Sequence, residues 1–302
     1  MPPEPIMPHS DPNGPLADFA LSSVLQQRIL GFAGSFASWF LYVPARILFD
    51  AGEGITSRLR NRVFLPEAVF LTHAHLDHIS GLHAFLSARN SMRGDNNKPL
   101  TVYFPDGAQA ALQPLWQYID ALLPEGSNRP VWKPLQTGDR IPARNWTVEA
   151  FATRHGVPSL GYRILEARTR LKSEFERCLP DEIRQLRQSG TVVKENAEHV
   201  LFAFTGDTGP GLDTALFQKA DVLFHESTFL NPADREGLLH STMAEAFDLA
   251  AQADVRQLVL YHFSQRYTAA EIRHAIDTLR EASGFKGQLA CVAGFTEPPE
   301  WY

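Results

Sequence analysis

A short polar segment that follows an apolar run places the strongest constraint on this sequence. The run AVFLT is followed by HAHLDHISGL, so His73, His75, Asp77 and His78 stand within six positions. Side chains two positions apart in an extended chain point the same way, so the first two histidines can face one volume as a strand ends. Asp77 and His78 then lie where the next helix is expected to begin, and Gly81 permits close packing as that helix leaves. The segment therefore predicts a metal site at the end of a strand.

The types of side chain in this segment indicate the kind of metal site. Imidazole nitrogens and carboxylate oxygens without thiolates suit zinc, manganese or iron. A closed structural zinc site commonly uses cysteine, and the whole sequence has only Cys178 and Cys291. The segment therefore favours an open, catalytic site that keeps water.

Cysteine content and hydropathy indicate the cellular compartment of the protein. Two cysteines are too few for a disulfide framework, which fits a reducing compartment and predicts a cytoplasmic protein. No apolar run reaches the roughly 18 residues of a membrane span, so we expect no membrane partner. Residues 1–20 have prolines and acids where a signal peptide has a basic start, and we interpret them as a disordered tail before a single domain over 21–302.

The charge distribution leaves a nucleic-acid partner open. The net charge of −6 argues against non-specific nucleic-acid binding through the whole surface. Between Arg163 and Lys194, however, the sequence has eight basic and five acidic residues. This interval forms either a local basic face or a solvated helix of mixed charge.

Apolar runs and helical patterns alternate along the chain. The predicted strands cover residues 36–43, 46–49, 68–72, 101–104, 146–153, 162–165, 200–205, 222–225, 258–261 and 288–292. The predicted helices cover residues 79–91, 108–123, 173–188, 243–253 and 269–281. Early strands follow one another closely and later strands are separated by helices. This order predicts an α/β fold, with two packed sheets inside and helices outside.

The His-x-His-x-Asp-His pattern resembles the signature of the metallo-β-lactamase superfamily. Four further segments resemble its ribonuclease Z branch, the tRNA 3′-endonucleases, and occur in the order of that family. They are LFDAGEGI (48–55), HGVPSLGYR (155–163), TGDTGP (205–210) with HESTF (225–229), and HSTMAEA (240–246) with YHFSQRY (261–267). The resemblance covers most of residues 48–267 and implies a four-layer αββα sandwich.

Carried over position by position, the resemblance implies two divalent metal ions, with zinc expected first and manganese or iron as alternatives. Seven side chains would hold them: His73, His75 and His155 on the first ion, Asp77, His78 and His262 on the second, and Asp207 bridging both. The residues themselves agree with this set. The later members each lie at or just past the end of a predicted strand, where ligands from different strands can meet.

The resemblance also implies roles in hydrolysis by a metal-bridging hydroxide. His240 would protonate the leaving group, Glu226 would orient His240, and Asp77 would orient the nucleophile as well as bind metal. Alternatively, His240 is a polar residue at the start of the helix 243–253, beside a hydroxyl that caps it. Arg266 would either contact phosphate, because a guanidinium fits two phosphate oxygens, or form a structural salt bridge. We expect His83 to be a packing or surface residue.

Three departures from the family keep the substrate open. The glycine-rich opening is reduced to GFAGSFASWFLY, and the segment after the last strand reads VAGFTEPP. Only 51 residues separate His155 from Asp207, so the arm that carries tRNA in many family members is reduced to an insertion near 166–197. The favoured function is an endoribonuclease or phosphodiesterase acting on RNA or a small phosphodiester, and the resemblance implies a homodimer. The second is a small-molecule hydrolase, such as a cyclic nucleotide phosphodiesterase, a lactonase or a β-lactamase-like enzyme. The third is a non-catalytic, metal-stabilised binding protein.

Overall fold

The fold is built on two β-sheets. A computed structural model describes residues 23–34, 37–91, 100–235 and 237–292. The tail predicted over residues 1–20 and the VAGFTEPP segment after Val292 lie outside the described residues.

The first sheet has six described strands that are adjacent in chain order. They are β1 Ile29–Gly34, β2 Ala37–Tyr42, β3 Ile47–Phe49, β4 Ala68–Phe70, β5 Thr101–Pro105 and β6 Val131–Leu135. Strands β1 to β3 pair antiparallel, and β3 to β6 pair parallel. The neighbours β3 and β4 therefore end on the same edge, which brings Asp50 and Thr72 together.

The second sheet has seven described strands, again adjacent in chain order. They are β7 Arg140–Ala143, β8 Trp146–Ala152, β9 Leu160–Leu171, β10 Lys194–Phe204, β11 Leu223–Glu226, β12 Gln257–Tyr261 and β13 Gln288–Cys291. Strands β10 to β13 run parallel. Asp207, Glu226 and His262 stand at or just beyond the ends of three of these strands, so they share one edge of the sheet.

Helices cover the outer faces of both sheets. The α-helices of the described residues are α1 Ser23–Arg28, α2 Ile55–Leu59, α3 Leu76–Ile79, α4 Leu82–Ser91, α5 Gln109–Leu122, α6 Pro180–Gln188, α7 Met243–Gln252 and α8 Ala269–Ala282. Apolar residues of α2, α4 and α5 pack on the first sheet, and those of α7 and α8 pack on the second. The predicted four-layer αββα sandwich is confirmed.

Aromatic side chains fill the space between the sheets. The ring of Phe40 lies 4.8 Å from that of Phe224, and the ring of Phe49 lies 5.3 Å from that of Phe202. Side chains alternate across each strand, so Phe70 faces this central core while its neighbour Val69 faces the outer helices. The core holds the two sheets, and therefore their site-bearing edges, in a fixed relation.

The predicted helix over 173–188 is wrong in its first half. Residues Ser173–Phe175 form a 3-10 helix, and α6 begins only at Pro180. Proline fits the first turn of a helix because it has no N–H to donate, but it disrupts a helix interior.

Strands β9 and β10 are much longer than predicted. Beyond the sheet core they pair as an exposed hairpin, in which Arg170 faces Glu195 and Leu171 faces Lys194. Polar side chains on both strands give no apolar pattern, so this part escaped prediction. The edge strands β6 and β7 were also missed, because each contains a proline, which only an edge strand tolerates.

Candidate metal centre

The His-x-His-x-Asp-His segment spans the junction between β4 and the next helix. His73 and His75 lie in the loop after β4, and His75 immediately precedes α3. The single helix predicted over 79–91 is divided into α3 and α4, and α3 begins at Leu76, so Asp77 and His78 both lie on α3. His73 and His78 are buried, whereas His75 is exposed. The junction thus places two of these histidines in the interior of the protein and one at its surface, all at the same site.

The first cluster joins this loop to the loop after β8. The Nδ1 atom of His75 lies 3.0 Å from Nε2 of His73 and 3.1 Å from Nε2 of His155. These three side chains can each offer a ligand atom, and the three atoms lie within 4.8 Å of one another.

The second cluster joins α3 to the ends of β10 and β12. Ligand atoms of Asp77, His78, Asp207 and His262 also lie within 4.8 Å of one another. The Oδ2 atom of Asp207 is 3.5 Å from Nε2 of His78 and 3.3 Å from Nε2 of His262. The same oxygen is 3.8 Å from Nε2 of His155. Asp207 therefore stands between the two clusters.

The chemistry of these atoms fits divalent cations. Neighbouring ligands on a tetrahedral zinc ion are about 3.3 Å apart, given bonds of about 2.0–2.1 Å, and the imidazole nitrogens above approach this spacing. Among the described residues, Nε2 of His78 and Oδ1 of Asp207 are buried without a hydrogen-bond partner. Buried polar atoms are normally satisfied, so a cation is a physically reasonable partner for both.

Hydrogen bonds behind the clusters fix the imidazoles. His78 donates from Nδ1 to Oδ2 of Asp50 at 2.7 Å, and His155 donates from Nδ1 to the carbonyl oxygen of Leu239 at 2.9 Å. Each bond occupies Nδ1 and leaves Nε2 facing the cluster, which is the usual arrangement behind a metal ligand. Asp50 was not assigned a role from the sequence, although it lies in the quoted LFDAGEGI segment and directly follows a strand, as the ligands do.

His240 and Glu226 form a pair beside the clusters. The Nδ1 atom of His240 lies 2.9 Å from Oε1 of Glu226 and 4.0 Å from Oδ2 of Asp207. Glu226 is fully buried, whereas a quarter of the His240 side chain is exposed, at 25%. Although burial opposes protonation, the hydrogen bond and charge of Glu226 raise the pKa of His240. Glu226 therefore favours the protonated form of this imidazole, which lies at the solvent side of the site.

The histidine at the start of α7 does not cap that helix. Thr242 is the N-cap, and its side chain accepts a hydrogen bond from the backbone N–H of Glu245. The alternative reading of His240, as a polar residue beside the cap, thus accounts for its position in the chain. It does not account for the contact with Glu226.

The arrangement has counterparts among known proteins. A family model described as Beta-lactamase superfamily domain matches residues 45–263. The ribonuclease Z of Natronomonas pharaonis is 36% identical over 252 residues, which cover 74% of this chain and 79% of that relative.

The chain belongs to the ribonuclease Z family of the β-lactamase superfamily.

Further relatives agree with this placement. The ribonuclease Z of Thermococcus kodakarensis is 32% identical over 247 residues, covering 74% of this chain and 76% of that relative. The crystal structure of YhfI, a metallo-β-lactamase fold protein of Bacillus subtilis, superposes with a TM-score of 0.62 at 20% identity. It covers 87% of this chain and 95% of YhfI. As a member of this superfamily the chain is a hydrolase, and its histidine and aspartate clusters are suited to divalent metal ions. None of the helices in the described part of the chain is long and apolar enough to cross a membrane.

Groups of opposite charge lie close together in this ribonuclease Z site. Burial raises the pKa of Asp207, but the charges of His262 and His78 hold this pKa well below its usual range. Burial likewise opposes protonation of His262, but the charge of Asp207 raises the pKa of His262 to about 9. Burial lowers the pKa values of His73 and His155, so these two are neutral and can offer lone pairs.

Arg266 lies at the periphery of the site. Its guanidinium donates to the carbonyl oxygen of Asp234 at 3.1 Å and to Oγ of Ser264 at 3.2 Å. It also lies 5.3 Å from the ring centroid of Phe229, and the Phe229 ring lies 6.3 Å from that of His240. Arg266 is thus held near His240, at the edge of the site. By contrast, the ring of His83 lies 5.8 Å from that of Tyr118 on α5, outside both clusters.

The insertion near 166–197 consists of the outer ends of β9 and β10 with α6 between them. Several of its basic residues are paired with acids. Arg168 pairs with Glu166, Arg170 with Glu195, and Arg184 with Asp181. Glu195 lies just outside the interval counted in the sequence, so its charge offsets part of the surplus of basic residues there.

Proposed function

We propose that this protein is a metal-dependent endoribonuclease that hydrolyses a phosphodiester bond of precursor tRNA near its 3′ end. Its relatives are named ribonuclease Z. One observation carries the proposal: the imidazole of His240, held by buried Glu226, lies within 4.0 Å of the carboxylate that stands between the two clusters. A proton donor beside two cation sites is what cleavage of a phosphodiester with a poor leaving group requires.

The two clusters would hold two divalent cations, which we propose to be zinc. The proposed ligands are those expected from the sequence: His73, His75 and His155 for one ion, Asp77, His78 and His262 for the other, and Asp207 between them. Two such cations, when bound, lower the pKa of a water molecule and stabilise charge that develops at phosphorus.

The side chains of the protein supply the remaining steps. Asp77 is partly exposed and lies 3.3 Å from Nε2 of His78, so one of its oxygens can orient the attacking water. His240 donates its proton to the departing oxygen, which is typically worth roughly 10²–10⁴-fold in rate. Glu226 holds His240 in place and stabilises its protonated form. Arg266 uses two of its five N–H donors within the protein, and we propose that the others contact a substrate phosphate.

Cleavage of a precursor tRNA with a 3′ trailer tests this function. The metal-loaded protein should release the trailer at a single position, and His240→Ala should slow that cleavage. His274→Ala is the matched control, because His274 is an exposed histidine of α8. Failure to cut the precursor while the protein hydrolyses bis-p-nitrophenyl phosphate, a cyclic nucleotide, nitrocefin or a lactone would instead indicate a small-molecule hydrolase. Inertness toward all of them with metal bound would indicate a binding protein.

Two properties accompany the proposed function. A tRNA-processing role agrees with the cytoplasmic location that the cysteine content predicts. The homodimer implied by the resemblance stays a prediction, and light scattering coupled to size-exclusion chromatography would test it.

A further inference from the structure

Thr228 lies just beyond the end of β11, with its hydroxyl between three polar side chains. Its Oγ1 atom is 2.5 Å from Oε2 of Glu226, 2.9 Å from Nδ1 of His262 and 3.3 Å from Nδ1 of His240. The residue is buried, with 8% of its surface exposed. A hydroxyl can donate only one proton, so these three contacts cannot all be of the same kind.

The hydrogen bonds around Glu226 decide the direction of that proton. Glu226 accepts from the backbone N–H of Thr208 and from Nδ1 of His240 through Oε1. Through Oε2 it accepts from the backbone N–H and the hydroxyl of Thr228. Each carboxylate oxygen thus accepts one backbone N–H, and at 2.5 Å the hydroxyl of Thr228 donates to Oε2. The hydroxyl proton of Thr228 therefore points to Glu226, and Oγ1 presents lone pairs to the imidazoles.

This direction fixes the proton of His262. A nitrogen 2.9 Å from an accepting oxygen must carry a hydrogen, so His262 is protonated at Nδ1. Its Nε2 atom lies 3.3 Å from Oδ2 of Asp207 and 3.7 Å from Oδ2 of Asp77, inside the second cluster. We propose that Thr228 is a positioning residue that fixes the Nδ1–H tautomer and ring orientation of His262 for metal binding, and ties this ligand to the Glu226–His240 pair. The inference rests on the ligand set of the proposed function.

The first sheet repeats the same arrangement with different residues. The hydroxyl of Thr72 donates to Oδ2 of Asp50 at 2.9 Å and lies 3.0 Å from Nδ1 of His73. Asp50 also accepts directly from Nδ1 of His78. Each cluster thus has a buried carboxylate, a threonine and an imidazole that the threonine orients. Two unrelated loops share this device, which supports a role in holding ligands rather than in local packing alone.

The two carboxylate–threonine–imidazole arrangements differ in the second imidazole to which the carboxylate is hydrogen-bonded. Asp50 binds a second proposed ligand, whereas Glu226 binds the proposed proton donor. Loss of the Thr228 hydroxyl would leave Nδ1–H of His262 without an acceptor and remove one of the four donors to Glu226. We therefore expect the metal affinity and the behaviour of His240 to change together.

Competition titrations with zinc and a chromophoric chelator test the inference. Thr228→Val keeps the shape of the side chain and should weaken one of the two zinc sites by about 10–100-fold, the usual loss when a hydrogen bond behind a ligand is removed. Thr228→Ser keeps the hydroxyl and should restore most of that affinity. Thr56→Val is the matched control, because the buried hydroxyl of Thr56 has no hydrogen-bond partner among the described residues. Unchanged affinity at both sites in Thr228→Val would overturn the inference.

A second measurement needs no variant at position 228. Long-range 1H–15N spectra of the zinc-loaded, histidine-labelled protein should show His262 protonated at Nδ1, with the signal assigned from its absence in His262→Gln. A proton on Nε2 of His262 would overturn the inference even if Thr228→Val failed to fold. Neither experiment uses RNA, so a protein that bound zinc in this way but left precursor tRNA intact would contradict the proposed function alone.

Discussion

Nδ1 of His78 donates a 2.7 Å hydrogen bond to Oδ2 of Asp50, and neither side chain is accessible to solvent. The bond joins the end of β3 to α3, and Asp50 also accepts from the backbone N–H and the hydroxyl of Thr72. One buried carboxylate thus organises both the strand end and the helix that carry the His-x-His-x-Asp-His segment.

Replacing Asp50 should therefore weaken metal binding without removing a ligand. Asp50→Asn keeps the size but puts an NH₂ group where an acceptor oxygen is needed, opposite donors that are already fixed. We expect the affinity for the zinc ion at the cluster that contains His78 to fall by about 10–100-fold. Titration of the metal-free protein measures this, with Asp106→Asn as a surface control. Wild-type affinity in Asp50→Asn would contradict the role given to this contact.

His240 should matter most when the leaving group is poor. His240→Ala is expected to slow cleavage of precursor tRNA by about 10²–10⁴-fold, because the departing ribose oxygen needs a proton. Hydrolysis of bis-p-nitrophenyl phosphate should fall far less, since p-nitrophenolate leaves without protonation. Both rates can be measured on one preparation of known zinc content. Equal losses on the two substrates would show that His240 is not the proton donor.

Glu226 should set the alkaline limit of activity. The proton donor must be protonated, so the rate falls as the pH rises through the pKa of His240. Burial opposes protonation of His240, but the hydrogen bond and charge of Glu226 raise its pKa. Glu226→Gln removes the charge and should move the alkaline limb of kcat/KM toward lower pH. Glu271→Gln, in the exposed cap of α8, provides the control, and an unmoved limb in Glu226→Gln would contradict the assignment.

Metal binding should release protons in a defined pH window. In the metal-free protein the charge of Asp207, against the effect of burial, raises the pKa of His262 to about 9 from an ordinary value of 6.5. Protonated His262 thus stabilises the metal-free fold fully below pH 6.5, and this stabilisation is lost as the pH rises through about 9.

A zinc ion at this site must displace that proton, so its apparent affinity should rise over the same window. Calorimetry in buffers of different ionisation enthalpy counts the protons released. The proton release assigned to this residue should disappear in His262→Gln, and an affinity independent of pH between these limits would contradict the prediction.

Close packing at Gly81 should hold α3 in place. A β-carbon at this position would lie 2.1 Å from the carbonyl oxygen of Gly52. Gly81→Ala is therefore expected to cost about 1–3 kcal/mol in the free energy of unfolding, and to weaken metal binding by shifting Asp77 and His78. Gly190→Ala serves as the control. It replaces a glycine of φ 83° with open space around it, so only backbone strain of about 1 kcal/mol is expected, without a change in metal binding. Urea denaturation and zinc titration measure both effects.

Much of the fold could be predicted from the sequence, because core strands and helices carry local periodic patterns. The helix predicted over 269–281 matches α8, Ala269–Ala282, and the strand over 101–104 matches β5. Some of the elements that escaped prediction lack such a pattern. The outer halves of β9 and β10 are polar on both faces, since they pair beyond the core.

The sequence by itself determined which side chains offer candidate ligand atoms, because imidazoles and carboxylates placed at strand ends are visible in one dimension. Only the tertiary structure decided that Asp207 stands between the two clusters and that Asp50, Thr72 and Thr228 hold the imidazoles from behind. These contacts join residues that are far apart in the chain, as in the 28-residue separation of Asp50 and His78. The packing of the two sheets brings such residues together, and no local pattern encodes the direction of a hydrogen bond between them.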